Sequence, residues 1–349
     1  MSVVCTVPRY ASGHLVRAAV TAPSVYNTQP WLFVAEDHDR GVELHADPSR
    51  RLPLTDPDGR EMVISCGAAL FNVRLAMRHL GFKPVVEYLP HRADPDFLAR
   101  VTWGAYELTT PDEGRVYRAL RRRHTIRGPF LPDPMPRTLT HTLREAARRE
   151  GATLHWIDRS AGRRELAELV REAEQTHRRD PGYLAEQAGW TWRLAEHRVD
   201  GIPVDADVQH PDSTSLPGRD YAGIARMFPV PPHRWSPRSG RVAVLSTDRD
   251  DRRAWLRAGQ ALQRVLLEAA AQDVMAAFHT QPLEIPPLRT RILQTLSGGE
   301  HPQTILRLGR VPSVQPLPRR SPTEVLGSEP IGARVRPPGI PALSQPRHC

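Results

Sequence analysis

The segment that says most about the fold reads Gly67-Ala68-Ala69-Leu70-Phe71-Asn72-Val73-Arg74-Leu75. It lines up with a second segment, Gly259-Gln260-Ala261-Leu262-Gln263-Arg264-Val265-Leu266-Leu267. The glycine, the second alanine, the first leucine, the valine and the last leucine coincide, and the apolar positions in both recur at helical spacing. Chance agreement between common residue types would explain the match. The alternative is an internal duplication, in which two similar folds are fused and related by a pseudo-twofold axis.

The chain around each segment predicts a similar mixture of helices and strands. The two repeated segments predict helices that begin near Gly67 and Gly259, with Gly81 as a C-terminal cap of the first. In the first half, a helix is predicted at 14–20 and strands at 31–34, 42–45, 85–88 and 98–103. In the second half, helices are predicted at 116–123 and 139–149, and strands at 152–157, 242–245 and 305–308.

These elements predict an α+β fold in two halves, at residues 1–110 and 111–326. Residues 175–240 form a proline-punctuated, irregular insertion in the second half, and loops of this length usually cover a functional site or are disordered. Its apolar side chains indicate that it packs on the rest of the protein; they are Trp190, Trp192, Met227 and Phe228. Residues 327–349 are rich in Gly, Pro and Ser and predict a flexible tail.

Composition excludes several classes of protein. Hydrophobic residues make up 40% and charged residues 25% of the 349 residues, which is typical of a globular chain. No apolar run approaches the ~18–20 residues of a membrane span, and the first ten residues do not resemble a signal peptide. Three cysteines make neither a disulfide framework nor a zinc pattern, so we expect no metal and a reducing cytoplasm.

The chain is strongly basic, with a formal net charge of +9 and a pI near 10.1. A basic chain suggests an anionic partner, of which nucleic acid is the first to consider. Lys83 is the only lysine, however, and an arginine-only chain is also what a GC-rich genome produces.

Three segments carry candidate chemistry. The first, residues 23–31, reads Pro-Ser-Val-Tyr-Asn-Thr-Gln-Pro-Trp, whose small polar side chains suit hydrogen bonding to a polar heterocycle; a surface turn is the alternative. The second, residues 121–130, brings several guanidinium groups and Thr125 together, as a phosphate site requires, although a solvated helix end looks the same. The third, residues 318–326, again sets paired arginines beside a hydroxyl, and a basic tail is its alternative.

In this order, the three segments resemble those of the flavin-dependent nitroreductases, and more closely the Acg branch, in which two such folds are fused. The resemblance covers about residues 10 to 326. It implies a nitroreductase-like α+β pseudo-dimer whose mixed or antiparallel sheets are flanked by helices. The loop 23–31 resembles the family loop that contacts FMN from one subunit, and Arg123-His124-Thr125-Ile126-Arg127 resembles the element that contacts it from the other.

The resemblance assigns roles to individual residues. Arg123, Arg319 and Arg320 correspond to phosphate ligands, Thr125 and Ser24 to donors for phosphate or ribityl oxygens, and Asn27 to a contact with the pyrimidine edge. Arg127 matches the cation that the family places near flavin N1 and O2, where negative charge develops on reduction. Arg238 or Arg241 could add to this charge. The full set implied for FMN is Pro23, Ser24, Val25, Asn27, Gln29, Arg123, His124, Thr125, Arg127, Arg238, Arg241, Arg319 and Arg320.

The two halves keep complementary parts of this pattern. The first half has the loop 23–31 but no Arg-His-Thr-x-Arg element ahead of its first helix. The second half has that element, but where the loop should recur, at 147–154, it reads Ala-Arg-Arg-Glu-Gly-Ala-Thr-Leu. We therefore expect one FMN per chain, in the crevice between the halves, and a monomer, since the fusion already buries the dimer surface.

Two functions stay open at this point. The first is hydride transfer through flavin N5, from NAD(P)H to a small nitroaromatic or quinone-like acceptor. The second is a flavin-sequestering protein whose insertion, resembling the lid of the Acg branch, fills the substrate slot with its aromatic side chains. Both functions identify the anionic partner as FMN rather than nucleic acid, because the excess positive charge falls on the segments assigned to FMN. Residues 115–127 contain six arginines and no acid, and residues 315–336 contain four arginines and two acids.

Overall fold

The computed structural model describes residues 11–127, 130–193, 196–204, 216, 218–221 and 240–327. The helices are α1 (Ala11–Ala19), α2 (Arg60–His79), α3 (Pro111–Arg118), α4 (Arg137–Arg149), α5 (Ser160–Arg179), α6 (Pro181–Gly189), α7 (Arg252–Ala270), α8 (Pro286–Thr295) and α9 (Pro322–Val325). The strands are β1 (Trp31–Ala35), β2 (Gly41–Ala46), β3 (Phe82–Tyr88), β4 (Phe97–Tyr106), β5 (Thr153–Trp156), β6 (Thr191–Trp192), β7 (Ile202–Pro203), β8 (Arg241–Thr247), β9 (Met275–Phe278), β10 (His301–Gly309) and β11 (Leu326–Gly327).

The two main sheets have the same topology. The first has the order β11-β1-β2-β4-β3 and the second the order β5-β8-β10-β9. Apart from β11, strands in equivalent positions pair antiparallel in both sheets. The long helices α2 and α7 occupy the same place, between the second strand of each half and the strand that follows. The expected α+β class and the internal duplication are therefore confirmed.

The two matched glycines meet where α2 crosses α7. A Cβ atom built on Gly259 would lie 2.0 Å from the carbonyl oxygen of Ile64 and 2.8 Å from the Cα of Gly67. A Cβ on Gly67 would lie 2.3 Å from the carbonyl oxygen of Leu256. Because neither site has room for a side chain, glycine at both positions lets the two backbones touch. The repeat that first indicated duplication thus lies on the axis that relates the halves.

Each long helix is the centre of an apolar core. Buried residues of α2 such as Leu70 and Val73 pack with β1, β2 and β4, and the cluster also takes in Val116 and Leu120 around α3. Buried residues of α7, including Leu262 and Val265, pack with α4 and the second sheet. A third apolar cluster includes buried residues of α5, α8, β8 and β10.

The C-terminal arm returns to the first half. After β10 the chain continues to β11, which pairs parallel with β1 through Phe33 and Leu326. This pairing lays residues 317–320 beside the loop that precedes β1, where Asn27 donates to the carbonyl of Pro318 at 3.2 Å. The first and third candidate segments, distant in sequence, are thus neighbours in the fold.

Both long helices begin earlier than predicted. α2 begins at Arg60 rather than near Gly67, because the Asp56 carboxylate accepts the backbone N–H groups of Glu61 at 3.0 Å and Met62 at 2.8 Å. α7 begins at Arg252 rather than near Gly259, because the Asp251 side chain caps the N–H of Ala254 at 2.8 Å. Sequence periodicity marks the apolar face, whereas these polar first turns depend on side-chain caps.

The prediction of irregular chain from residue 175 is wrong for its first part. α5 continues to Arg179, and α6 follows at once because Pro181 is its first residue and Asp180 caps Gly182. Met227, Phe228, Arg238 and the tail from residue 328 lie outside the described residues.

A cleft between the two halves

A large cleft opens between the halves, with about 1210 Å³ of space including the solvent at its mouth. The first half contributes the loop 23–27 and the first turns of α2. The second half contributes residues 125–127 and parts of β9 and β10. Residues 218–221 and the C-terminal arm complete the lining. The cleft therefore uses every candidate segment that the sequence singled out.

The loop before β1 holds a strained backbone. Tyr26, Asn27 and Gln29 have φ angles of 48°, 55° and 50°, a region that residues with a Cβ rarely adopt. Each such residue costs on the order of 1–3 kcal/mol and persists only where its surroundings fix it. Here Ser24 Oγ accepts the N–H of Gln29 at 2.9 Å, closing the loop on itself. Pro23, Ser24, Val25 and Asn27 line the cleft.

Asn27 ties three parts of the chain together. Its amide nitrogen donates to the carbonyls of Gly201 at 3.1 Å and Pro318 at 3.2 Å, and its oxygen accepts from Arg319 at 2.9 Å. The side chain is 3% exposed. Its amide is thus used within the protein, and in this structure it positions Arg319 rather than offering a free donor and acceptor to a ligand.

Gln29 has a similar internal role and does not line the cleft. Its amide nitrogen donates to the carbonyl of Val199 at 2.8 Å, and its oxygen accepts the backbone N–H of Arg320 at 2.8 Å. The residue is fully buried. It joins the loop to the C-terminal arm and to the chain near residue 199.

The second segment enters the cleft as an extra edge beside β9. Thr125 bridges to Ala276, and the N–H of Ile126 donates to the carbonyl of Ala276 at 2.8 Å. Thr125 and Arg127 line the cleft, and the Arg127 guanidinium lies 5.5 Å from the centre of the Tyr221 ring. The backbone pairing therefore fixes the segment that carries both side chains.

Arg123 is a buried cation whose hydrogen bonding is incomplete. One terminal nitrogen donates to the carbonyl of Thr21 at 3.0 Å, but Nε and the other terminal nitrogen have no partner among the described atoms. Burial, reinforced by repulsion from Arg319, lowers its pKa to about 9. A buried guanidinium with unpaired donors is costly unless an anion completes it.

Arg127 and Arg319, which line the cleft, form a cationic cluster with Arg123, which does not line it. Burial lowers the pKa of Arg319 to about 10, and repulsion from Arg127 adds to the shift. Its Nε has no hydrogen-bond partner within the described part of the chain. No carboxylate of the described residues pairs with any of the three. Like charges held together without counter-charge indicate a site for an anion such as phosphate.

Three other predicted residues, like Gln29 and Arg123, do not line the cleft. The guanidinium of Arg320 donates to the carbonyl of Gln29 at 3.2 Å and lies 3.8 Å from the Asp47 carboxylate, so the structure corrects its assignment to the arginine cluster. Arg241 pairs with Asp158 at 2.5 Å, outside the lining.

His124 also lies outside the lining. Burial, together with the charges of Arg123 and Arg319, lowers its pKa. It is therefore neutral near pH 7 and adds no cation to the cluster.

The lining of the cleft also includes residues that the sequence did not single out. Glu61 lines it from the first turn of α2, and Arg219 lines it from the segment 218–221. Arg219 pairs with the buried Glu284 and donates to the hydroxyl of Tyr26 at 3.0 Å. The signal for this cluster was absent from local patterns, since its members come from positions far apart in the chain.

The described residues of the predicted insertion 175–240 contribute to the cleft differently from the expectation. Trp190 lies with the Arg50 guanidinium 5.8 Å from its ring centre, and Trp192 is buried; neither lines the cleft. Tyr221 does, with its ring edge-on to Tyr26 at 5.9 Å. Among the described residues, the aromatic side chain that this segment brings to the cleft is therefore a tyrosine.

Cys66 is structural in this setting. Its thiol is fully buried and donates to the carbonyl of Pro30 at 3.2 Å. Burial raises the pKa of the Cys66 thiol, which removes the reactive thiolate that a helix start can favour.

In the described ranges, no set of three or more His, Cys, Asp or Glu side chains is arranged to hold a metal ion. No described helix has both the length and the apolar character to span a membrane.

Comparison with known proteins gives a consistent result. A model of the nitroreductase family matches residues 120–310. "Putative NAD(P)H nitroreductase Rv3131" of Mycobacterium tuberculosis (strain ATCC 25618 / H37Rv) is 34% identical over 317 residues, 88% of each chain. "Putative NAD(P)H nitroreductase acg" of the same strain is 31% identical over 88% of this chain and 91% of that protein.

Among solved structures, a nitroreductase with bound FMN from Desulfitobacterium hafniense DCB-2 aligns with 58% of this chain and 92% of its own, at 14% identity and a TM-score of 0.33. The family match covers more than half of the chain, and the mycobacterial relatives are similar along nearly its whole length. The family model and the two mycobacterial relatives therefore show that the chain belongs to the nitroreductase family.

Proposed function

We propose that this protein is an FMN-dependent oxidoreductase that binds one FMN per chain in the cleft between its halves. Bound FMN would supply hydride chemistry at N5, and the acceptor would be a small nitroaromatic or quinone-like compound. NAD(P)H is the proposed electron donor, in line with the names of the mycobacterial relatives. The monomeric state and the cytoplasmic setting remain predictions.

The observation that carries the proposal is the uncompensated arginine cluster. Arg127 and Arg319 line the cleft, Arg123 interacts with Arg319 from outside that lining, and among the described residues no carboxylate pairs with any of the three. The free donors of Arg123 and Arg319 fit a phosphate group, and each charge-assisted bond contributes roughly 1.5–3 kcal/mol. Without a bound anion, a buried cluster of like charges destabilises the fold, so the presence of this cluster favours a resident anion.

The remaining lining fits the rest of the cofactor. Thr125 and Ser24 carry hydroxyls for ribityl or phosphate oxygens, and apolar residues such as Ile64, Leu262 and Phe278 suit a flat ring system. Arg127, on the segment that runs beside β9, would hold a fixed positive charge near the ring and favour the reduced, anionic cofactor.

The single site follows from the asymmetry of the halves. Residues 20–30 connect α1 to β1 and supply the cleft loop, whereas residues 150–152 alone connect the equivalent α4 and β5. Three residues are too few to reproduce the strained loop with its hydrogen bonds. We therefore propose that the second crevice lacks a cofactor.

A second function, flavin sequestration, is favoured by the position of Arg219. This residue, from the segment between β7 and β8, lies in the cleft and is held by Tyr26 and Glu284. If residues 218–221 stay in place over the cofactor, acceptors and nicotinamides would be kept out.

Flavin analysis of the purified protein tests both functions. We expect a yellow protein with an FMN:chain ratio near one; a ratio near two would contradict the single site, and no flavin would refute both functions. Steady NAD(P)H oxidation with a nitroaromatic or quinone supports the oxidoreductase. Bound flavin that dithionite reduces but NAD(P)H does not would support sequestration instead.

A further inference from the structure

The lining of the cleft contains a buried acid. Glu61 is 3% exposed and lines the cleft from the first turn of α2. Its Oε1 accepts from Arg60 at 2.7 Å, whereas its Oε2 is buried and has no hydrogen-bond partner among the described atoms. A fully ionised carboxylate would leave that oxygen without a donor.

The neighbouring carboxylates have more hydrogen-bond donors, although burial also raises the pKa of Asp56. Both oxygens of Asp56 accept backbone N–H groups at the start of α2, at 3.0 and 2.8 Å. Both oxygens of Glu284 accept from Arg219. Asp56 also takes the N–H groups through which a helix N-terminus would otherwise stabilise an ionised Glu61.

Charge balance leaves one proton in this group. Three carboxyl groups, those of Asp56, Glu61 and Glu284, face the two guanidinium groups of Arg60 and Arg219. The next cation, on α8, is Arg289, and it is already paired with Asp250 at 2.7 Å. A buried set with excess negative charge retains a proton, and the oxygen without a donor is Oε2 of Glu61.

The electrostatic surroundings agree with this assignment. Burial raises the pKa of Glu61 to about 8; Arg60 and, more weakly, Arg219 oppose the shift, while Glu284 and Asp56 add to it. The ion pair with Arg60 alone would favour the ionised form, but Arg60 also donates to the carbonyl of Gln303 at 2.8 Å and is shared with Asp56. Glu61 is therefore poised to carry a proton at neutral pH and to release it.

We propose that Glu61 is the proton donor of the cleft for an oxygen-bearing acceptor of the quinone class, an assignment that rests on the proposed flavin function. The acceptor gains two electrons and one proton as a hydride from the reduced flavin. Its second proton comes from Glu61: the Oε2–H bond breaks and an O–H bond forms on the acceptor oxygen. The carboxylate that remains is compensated by Arg60 and takes a proton from solvent after the product leaves.

The test follows reoxidation of dithionite-reduced holoprotein by 1,4-benzoquinone in an anaerobic stopped-flow instrument, from about pH 6 to pH 9. For the wild type we expect a rate that falls as the pH rises through about 8, where Glu61 loses its proton. Glu61→Gln keeps the shape but has no acidic proton, so we expect a rate about 100-fold lower at pH 7 and independent of pH. Both proteins should hold equal amounts of FMN, since the arginine cluster is unchanged.

Glu174→Gln is the matched control. Glu174 is also a buried acid whose pKa burial raises, but it bonds to Gln281 and does not line the cleft. This variant should follow the wild-type profile. An E61Q protein with the wild-type rate and pH profile would overturn the proton-donor assignment while leaving the flavin function intact.

Two further outcomes separate the possibilities. If quinone reoxidises the flavin of no variant, the oxidoreductase function itself is refuted. If E61Q does not fold, the wild-type profile decides: a rate that stays constant up to about pH 9 would count against Glu61.

Discussion

We expect Arg123 to lower the stability of the flavin-free protein and to strengthen its binding of FMN. Its pKa is lowered from 12.5 to about 9, which at about 1.36 kcal/mol per pKa unit corresponds to roughly 5 kcal/mol for holding the charge in the fold. The sign is that of a base with a depressed pKa: the cost is complete below about pH 9 and declines at higher pH. Arg123→Met removes the charge, keeps much of the side-chain length and loses one bond to the carbonyl of Thr21, about 1 kcal/mol.

The flavin-free R123M protein should therefore be more stable than wild type by roughly 2–4 kcal/mol near pH 7. FMN should bind it about 10- to 100-fold more weakly, because charge-assisted bonds to phosphate are lost. Urea denaturation of the flavin-free proteins and titration of FMN fluorescence measure the two effects. Arg122→Met is the control, since Arg122 is exposed and pairs with Asp273. A flavin-free R123M protein less stable than wild type, or one with unchanged FMN affinity, would refute the reasoning.

Three more predictions follow from the same contacts. Gly259→Ala should destabilise the protein by about 1–3 kcal/mol or more in urea denaturation, because its Cβ would lie 2.0 Å from a carbonyl oxygen. Gly189→Ala is the control: a Cβ at this position would meet no atom within 4 Å, so stability should change by less than about 1 kcal/mol. Equal losses would contradict the close crossing of α2 and α7. Arg319→Met should weaken FMN binding about 10-fold or more, because Arg319 lines the cleft. Arg320→Met should leave the affinity unchanged, because the Arg320 guanidinium lies beside the Asp47 carboxylate. Equal effects on affinity would show that both arginines reach the phosphate. The flavin-free wild type should lose stability as the pH rises from about 4.5 through about 8, because a carboxyl group with a raised pKa favours the fold only while it is protonated. The stability of the Glu61→Gln protein should vary less with pH, and identical pH profiles would argue against a protonated Glu61.

Much of the fold could be predicted because local patterns carry it. The apolar spacing in the two repeated segments found both long helices, and their glycines proved to be the contact between the halves. The starts of α2 and α7 were missed because they depend on the carboxylates of Asp56 and Asp251, which lie outside the apolar pattern. α6 lies in the stretch whose prolines predict irregular chain, but Pro181 occupies the first position of a helix, where proline is tolerated.

In the candidate site, too, the sequence predicts what local motifs carry but not what depends on contacts between distant residues. A resemblance between motifs can indicate that paired arginines lie near a ligand, but not which of the two faces it. Arg319 turns towards Asn27 and the cleft, whereas Arg320, one residue further along the arm, turns towards Gln29 and Asp47. That alternation depends on the pairing of β11 with β1, a contact between distant parts of the chain. Glu61 was missed because its environment is made by residues that folding alone brings together.

The chain segments that follow β4 and β10 give a physical reason for the proposed single site in a duplicated fold. β4 and β10 are equivalent strands, yet the chain after β4 supplies Arg123 and Arg127, and the chain after β10 supplies Arg319. In a dimer of identical subunits, symmetry would send equivalent segments to two equivalent crevices. Here Arg127, from the first segment, and Arg319, from the second, line the same cleft as the loop 23–27. Under the proposed single site, a fused chain needs only one set of these parts, and the connection between α4 and β5 can shorten without loss of that site.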